Sequence, residues 1–233
     1  ALGLFYGPRW DGADAKRQPH GTGFGNDLGR GRSMFVKICG LSSEEHVRTA
    51  VAAGADAVGF VFADSVRKVD PALAAAITKS VPVTVKKVAV MLHPSNDEWQ
   101  EVLQDFVPDV LQTDVGDFAD LDVSAAVERW PVYRDRDVVT GTELDEVTGT
   151  YLYEGARSGS GETVDWAAAA TVAKRGNMIL AGGLSAANVA EAVTTVKPFG
   201  VDVSSAVEST PGQKDTELIR EFISAAKAAG TNL

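Results

Sequence analysis

The sequence has 233 residues, a formal net charge of −10 and 45% hydrophobic residues. Its length suits either two small domains or one large α/β barrel, and we expect a single domain. The negative charge disfavours nucleic acid and anionic membranes as partners, because the general field of the protein repels polyanions. One cysteine excludes an intramolecular disulfide, and three scattered histidines show no metal-ligand spacing. The composition therefore indicates a cytoplasmic protein without a metal site.

Residues 1–33 are Gly-rich and show neither a helical nor a strand period. The Gly-x-Gly-x-Gly pattern in this segment is weak evidence for a nucleotide site, because no predicted strand leads into it and no helical pattern follows it directly. We interpret the segment as a flexible N-terminal extension and expect the folded domain to span residues 34–233.

From Met34 onward, short apolar runs alternate with Ala-rich or charged stretches of helical length. Runs without polar alternation are typical of strands covered on both faces, and strands that alternate with helices are parallel. Eight such units in about 200 residues predict a (β/α)8 TIM barrel. A doubly wound, flavodoxin-like sheet is the alternative if two units are lost, and the fifth strand is the weakest. The predicted strands are Phe35–Cys39, Ala57–Phe62, Lys87–Leu92, Asp109–Thr113, Val132–Arg134, Thr150–Tyr153, Met178–Ala181 and Phe199–Val203. The predicted helices are Ser43–Ala53, Pro71–Ser80, Asn96–Phe106, Asp122–Arg129, Trp166–Lys174, Ala186–Val196 and Thr216–Ala229.

In a barrel of this kind, reacting groups lie where the strands run into the loops that follow them. The residues at these points supply a thiol, a guanidinium group, carboxyl groups and backbone-rich anion cradles. They are Cys39, Arg67, Asp114, Glu154, Gly182, Gly183, Ser204 and Ser205.

Cys39 ends the first predicted strand, and Ser42 or Ser43 caps the helix that follows. A free cysteine is often a small buried hydrophobe, so the residue type alone favours a structural role. Its position among other reactive groups at one rim favours a catalytic role instead.

Gly182 and Gly183 follow the seventh predicted strand, and Ser204 and Ser205 follow the eighth. The glycines allow the backbone to approach a ligand without obstruction by a Cβ atom, and the serine pair precedes a short extra helix. TIM barrels frequently bind phosphate at this place. The occurrence of both motifs on consecutive strands favours a phosphate site over two unconnected structural turns.

Arg67 and Glu154 are the charged candidates at the rim. The planar guanidinium of Arg67 suits a carboxylate, although a solvated loop arginine is the alternative. Glu154 precedes the Gly-rich loop 155–161, and partial screening from water would suit it to donate a proton. The alternative for Glu154 is an exposed loop carboxylate.

The order and spacing of several motifs resemble the phosphoribosylanthranilate isomerase family, (β/α)8 enzymes of tryptophan biosynthesis. The resemblance extends from Met34 to the C-terminus. The motifs are Lys37-Ile-Cys-Gly40, Gly54–Phe62 with Ser65-Val-Arg67, Gly159–Trp166, Gly182–Leu184 with Asn188-Val189, and Val201–Ser205 with Pro211–Asp215.

The resemblance implies an Amadori rearrangement of N-(5′-phosphoribosyl)anthranilate to 1-(o-carboxyphenylamino)-1-deoxyribulose 5-phosphate, without metal or organic cofactor. An acid protonates the ribose ring oxygen, the ring opens to an iminium, and a base removes the C2′ proton. By similarity, Cys39 is the base, and we expect a nearby cation or helix dipoles to lower its pKa. Lys37 lies deeper in the barrel and has at most an electrostatic role.

The same resemblance assigns the remaining positions. It implies that Arg67 binds the anthranilate carboxylate and that Asp202 lines the site near the sugar. The predicted phosphate ligands are Gly182, Gly183, Ser204 and Ser205.

Three positions depart from the family pattern. Glu154 stands where the family has an aspartate as general acid, and a register slip of one residue would put Tyr153 there. Asp114 replaces a histidine near the anthranilate end, where a carboxylate repels the substrate unless it is protonated, paired with Arg67 or turned away. Asp114 is therefore an alternative acid candidate. Ala206 replaces a glycine that is frequent in the family, and it permits phosphate binding if its φ is negative.

Two other functions stay open. The nearer one is a dual-substrate or histidine-pathway phosphoribosyl sugar isomerase, although such enzymes carry aspartate at the position of Cys39. A catalytically silent phosphate-binding barrel is the alternative from another class. The expected partner is a phosphorylated sugar substrate, and the expected assembly is a monomer or homodimer.

Overall fold

The computed structural model describes residues 33–134, 149–155 and 164–231. Residues 1–32 and 156–163 are not among them. The interpretation of the N-terminal segment as a flexible extension, and the role predicted for most of the Gly-rich loop after Glu154, therefore lie outside the described residues.

Eight parallel strands form a closed barrel in chain order. Each strand pairs with the next, and β8 returns to pair with β1, so the predicted (β/α)8 TIM barrel is confirmed. The strands are β1 Phe35–Cys39, β2 Ala57–Val61, β3 Lys86–Val90, β4 Val110–Asp114, β5 Glu128–Arg134, β6 Thr150–Glu154, β7 Asn177–Leu180 and β8 Gly200–Val203. A separate antiparallel pair, β9 Glu208–Thr210 and β10 Gln213–Lys214, follows β8.

Six of the seven predicted helices are found among the described residues. Local sequence explains where they begin. The Ser43 side chain accepts a hydrogen bond from the His46 amide at the start of the first helix, and Ser95 forms a capping box with Glu98 at the start of the third. The helices are α1 Glu44–Ala53, α2 Pro71–Ile77, α3 Asn96–Asp105, α4 Trp166–Val172, α5 Val189–Val196 and α6 Thr216–Gly230.

The predicted helix over 122–129 is wrong. Residues 121–124 have no regular secondary structure, a turn follows at 125–127, and β5 begins at Glu128, four residues earlier than predicted. The Ala-Ala-Val-Glu-Arg stretch has good helical propensity, but tertiary packing outweighs it. Trp130 is 3% exposed and packs edge-on against Phe35, with 5.9 Å between ring centroids, which holds this segment in the barrel.

The interior of the barrel is apolar near the strand N-termini and polar near their C-termini. Phe35 stacks on Phe199 at the apolar end, with ring centroids 5.3 Å apart. Because side chains alternate along a strand, the inward position after Val132 on β5 is Arg134, and the one after Leu152 on β6 is Glu154. The apolar interior layer consists of Ala57, Val88, Val110, Trp130, Val132, Leu152, Ile179 and Ala181.

Candidate active site

One pocket lies at the C-terminal mouth of the barrel, and all nine residues predicted for the site line it. They come from segments far apart in the chain and converge because the strands are parallel. The structure thus brings the predicted set together, while the individual roles stay predictions. The nine residues are Cys39, Arg67, Asp114, Glu154, Gly182, Gly183, Asp202, Ser204 and Ser205.

The thiol of Cys39 sits in a charged environment at the end of β1. Cys39 is 7% exposed and lines the pocket, so its sulfur is not enclosed by hydrocarbon alone. Burial raises the pKa of the Cys39 thiol, and the nearby cations Lys37 and Lys214 offset this only in part. The expected net lowering of this pKa is therefore wrong in sign, because desolvation of a thiolate outweighs the attraction of the two ammonium groups.

Lys37 lies directly beneath Cys39 on the inward face of β1. Its side chain is fully buried, and its Nζ donates a hydrogen bond to Asp202 Oδ1 at 2.9 Å. Burial lowers the pKa of Lys37, but the opposite charge of Asp202 and the adjacent Cys39 outweigh it and raise the pKa above its ordinary value. The site therefore has a buried lysine, paired with Asp202, next to the thiol.

Gly59 on β2 makes room for this pair. It stands opposite Cys39 in the parallel register. A Cβ atom at this position would lie 3.2 Å from Cys39 Sγ and 3.2 Å from Lys37 Cε, closer than most real Cβ contacts. The Gly-Phe pair in the predicted second strand could have indicated this close approach, since glycine inside a strand often marks one.

Arg67 is held by a carboxylate of the protein. Arg67 Nε lies 2.7 Å from Glu208 Oε1, and Arg67 Nη2 lies 3.0 Å from Glu208 Oε2, so the contact is bidentate. Glu208 also accepts hydrogen bonds from Lys214 Nζ at 2.7 Å and from the Gly212 amide at 3.1 Å. Burial alone would raise the pKa of Glu208, but the hydrogen bonds from Arg67 and Lys214 lower it to about 2. Neither Glu208 nor Lys214 was predicted from the sequence to have a role.

The carboxyl groups at the opposite side of the mouth share one arginine, which sequence analysis missed. Arg134 at the end of β5 contacts Asp114 through Nη2 at 2.6 Å and through Nε at 3.1 Å. Its Nη1 lies 3.7 Å from Glu154 Oε2. Asp114 is thus paired with Arg134 rather than with Arg67, and both of its oxygens act as acceptors. Like the other candidates, Arg134 stands at the end of a predicted strand, the fifth and weakest of the eight.

The three candidate acids differ in their surroundings. Asp114 accepts a bidentate contact from Arg134, which uses both of its carboxyl oxygens. Tyr153 is fully buried in the apolar layer between the strands and the helices, outside the residues that line the pocket. Glu154 points to the pocket, as the register without a slip predicts.

The two glycines after β7 adopt left-handed conformations, with φ of 92° for Gly182 and 63° for Gly183. These values favour glycine and turn the backbone toward the pocket mouth. Asn188 fixes the loop, because its Nδ2 donates to the Gly183 carbonyl at 2.9 Å and its Oδ1 accepts from the Ser185 amide at 2.8 Å. The result is a preformed backbone cradle of the kind that binds anions.

The two serines after β8 contribute differently. Ser204 Oγ donates to the Cys39 carbonyl at 3.1 Å, so Ser204 would contact a phosphate through its backbone amide rather than its hydroxyl proton. Ser205 begins a short 3-10 helix, Ser205–Val207, in agreement with the predicted extra helix. Ala206 is not among the described residues with positive φ, which meets the condition stated for phosphate binding.

Among the described residues, no group of three or more His, Cys, Asp or Glu side chains could hold a metal ion. In the same part of the chain, no helix has both the length and the apolar character to cross a membrane.

The fold and the site define a TIM-barrel enzyme whose C-terminal mouth brings a thiol, carboxyl groups and the backbone turns after β7 and β8 into one pocket. Comparison with known proteins identifies the family to which this enzyme belongs. The family described as N-(5'phosphoribosyl)anthranilate (PRA) isomerase matches residues 36–225. The chain therefore belongs to this family, as its motifs predicted.

Individual relatives agree with this assignment. The N-(5'-phosphoribosyl)anthranilate isomerase of Streptococcus gordonii is 42% identical over 193 residues, covering 82% of this chain and 97% of that protein. The Streptococcus mutans enzyme is 40% identical over 194 residues and is covered to 98%. The crystal structure of the Thermotoga maritima enzyme superposes with a TM-score of 0.74 at 30% identity, covering 84% of this chain and 99% of that one. A phosphoribosyl anthranilate isomerase in complex with reduced 1-(o-carboxyphenylamino)-1-deoxyribulose 5-phosphate superposes with a TM-score of 0.72 at 29% identity, with the same coverage.

Proposed function

We propose that this chain isomerises N-(5′-phosphoribosyl)anthranilate to 1-(o-carboxyphenylamino)-1-deoxyribulose 5-phosphate with Cys39 as general base and Glu154 as general acid. The observation that carries the proposal is that the two groups line one pocket from β1 and β6, beside the backbone cradle after β7 and β8. A relative crystallised with the reduced product supports the substrate class.

The reaction begins at the acid. Glu154 gives its proton to the ribose ring oxygen, the bond between C1′ and that oxygen breaks, and the nitrogen lone pair forms a C1′=N iminium. Glu154 becomes a carboxylate, which Arg134 can stabilise because its Nη1 lies 3.7 Å from Glu154 Oε2. Glutamate supplies the same carboxyl chemistry as the family's aspartate and reaches one methylene farther.

The base acts next. Cys39 removes the C2′ proton, the electrons of that bond form C1′=C2′, and the nitrogen recovers its lone pair. The enol formed in this way then loses its hydroxyl proton while C1′ gains one, so no proton is consumed overall. Cys39 has to be a thiolate at this step, a form that its burial disfavours and that the buried Lys37 cation stabilises.

Anchoring at both ends aligns the sugar between the two groups. The backbone of Gly182, Gly183, Ser204 and Ser205 would hold the phosphate, since these segments join left-handed turns to a 3-10 helix start. Arg67 would hold the anthranilate carboxylate, and Asp202, which lines the pocket while it pairs with Lys37, would lie near the sugar. Asp114, neutralised by Arg134, would face the anthranilate end.

The test is turnover of freshly prepared phosphoribosylanthranilate, followed as loss of anthranilate fluorescence. We expect turnover without added metal or cofactor. The histidine-pathway phosphoribosyl substrate is assayed in parallel, and comparable turnover of both would replace our proposal by a dual-substrate enzyme. Binding of the phosphorylated substrate without turnover would establish the silent barrel instead.

We also propose that the enzyme works in the cytoplasm on a small phosphorylated sugar, without nucleic acid or membrane partners. The assembly is a monomer or a homodimer, and a solved relative is described as mutually generated monomers of a dimeric enzyme. Light scattering on the purified chain distinguishes the two states.

A further inference from the structure

A continuous chain of hydrogen bonds joins the three substrate-contacting regions of the pocket. Arg67 pairs with Glu208, and Glu208 accepts from Lys214 Nζ at 2.7 Å. Lys214 Nζ donates in turn to the Ser204 carbonyl at 2.8 Å, and Ser204 Oγ donates to the Cys39 carbonyl at 3.1 Å. The expected carboxylate receptor, the phosphate cradle and the base are thus linked through one carboxylate.

Glu208 decides which edge of Arg67 faces the pocket. A guanidinium has a side edge, formed by Nε and one Nη, and an end edge, formed by the two Nη atoms. Glu208 occupies the side edge, with contacts of 2.7 Å to Nε and 3.0 Å to Nη2. The end edge is then the part of Arg67 that can meet a substrate carboxylate.

The packing around this chain is tight. Gly40 has a φ of 76°, and a Cβ atom there would lie 2.8 Å from Arg67 Cδ and 3.1 Å from Ser204 Oγ. The Glu208 side chain is 4% exposed and the Lys214 side chain is fully buried. Such burial keeps Arg67 from the many rotamers that a loop arginine would otherwise sample, which lowers the entropic cost of binding.

We propose that Glu208 is a positioning residue that orients Arg67 for the carboxylate of the substrate. This inference rests on the proposed function, because it requires a substrate with a carboxylate at one end and a phosphate at the other. It adds a determinant of substrate recognition that does not itself touch the substrate.

The experiment compares phosphoribosylanthranilate with phosphoribosylaniline, which lacks the carboxylate. In the wild type we expect a lower kcat/KM for the aniline compound. For Glu208→Gln we expect KM for phosphoribosylanthranilate to rise about 10-fold or more with kcat within about 3-fold, because a charge-assisted bidentate contact is lost. The same variant should leave kcat/KM for phosphoribosylaniline within about 2-fold of wild type.

Glu217→Gln is the matched control, since Glu217 is an exposed carboxylate on α6 that pairs with Arg220. It should leave both substrates unchanged. Glu208→Asp provides a second variant in case the glutamine form does not fold. It keeps the charge for Lys214 but is too short to bridge to both nitrogens of Arg67, so we expect the same selective rise in KM, only smaller.

The outcomes separate the two proposals. A wild type that turns over neither compound would refute the proposed function itself. An active wild type that shows no preference for the carboxylate would refute the role of Arg67. An active wild type whose Glu208 variants lose activity equally on both compounds, or on neither, would refute the positioning role of Glu208 alone.

Discussion

The two sides of the pocket mouth, here called the base side and the acid side, differ in how their charged side chains are paired. The base side, formed by β8, β1 and β2, surrounds its carboxylates with cations, since Lys37 pairs with Asp202 and Glu208 contacts both Arg67 and Lys214. The acid side, formed by β4, β5 and β6, sets two carboxyl groups on one arginine, since Arg134 contacts both Asp114 and Glu154.

This difference suits the two steps of the reaction. The ion pairs on the base side hold the thiol and its neighbours in a fixed arrangement, so that little reorganisation is needed when charge develops in the reaction. On the acid side, Asp114 takes the bidentate contact with Arg134, and Glu154 has the longer one, at 3.7 Å. On this side we propose Glu154, and not Asp114, as the group that gives its proton to the substrate.

The largest effect should come from removing the base. Cys39→Ala should lower kcat by about 10³- to 10⁴-fold, because proton abstraction from C2′ then has no positioned acceptor, and general base catalysis is worth up to this much. Steady-state fluorescence assays measure the loss, and circular dichroism checks that the fold is intact. Full activity of the alanine variant would show that another group on the base side takes the proton.

The second-largest loss of activity should come from changing the carboxyl groups of the acid side. Glu154→Gln should lower kcat by about 10²- to 10³-fold, whereas Asp114→Asn should cost less than about 10-fold, because only the first removes the proton donor. Tyr153→Phe serves as the control for the buried neighbour on β6. If Asp114→Asn proved the more damaging change, the roles of the two carboxyl groups that share Arg134 would have to be exchanged.

A smaller effect should come from crowding the base side without touching a charged group. Gly59→Ala places a Cβ atom 3.2 Å from both Cys39 Sγ and Lys37 Cε, so we expect kcat to fall about 10-fold with little change in KM. Gly116→Ala is the matched control, because nothing lies within 4 Å of a Cβ atom there. Equal kinetics for both variants would mean that the spacing of thiol and ammonium has no importance.

The contrast between the two sides also explains what could be predicted from the sequence. The base side is built from motifs with short internal spacing, so Cys39, Ser204 and Ser205 were found by inspecting strand ends. The ion pair of Arg67 with Glu208 was not predicted, because 141 positions separate the two residues. The sequence contains no direct signal for a contact between residues so far apart.

The acid side was harder to predict for a local reason. The segment before Arg134 has helical propensity, and its strand forms because Trp130 and Val132 fill the barrel interior, a tertiary effect that propensity does not contain. The predicted fifth strand has the same end as β5, at Arg134, but it was the weakest of the eight predicted strands, and Arg134 was not among the candidate residues. The direction of the Cys39 pKa shift was also predicted wrongly, because it depends on whether burial or the charges of Lys37 and Lys214 have the larger effect.

The smallest predicted effect is on stability and concerns the base side alone. The pKa of Glu208 is lowered from its ordinary value of 4.5 to about 2 in the folded chain, so this group favours folding above the ordinary value and loses that contribution as the pH falls toward 2. The melting temperature of the wild type should therefore exceed that of Glu208→Gln near neutral pH by about 2–4 °C, and the gap should close on acidification. Thermal unfolding of both proteins between about pH 7 and pH 3 measures the gap, with Glu217→Gln as the exposed control. A gap that stays constant over this range would mean that Arg67 and Lys214 do not hold Glu208 as a carboxylate, and the hydrogen-bond chain on the base side would then lack its central charge.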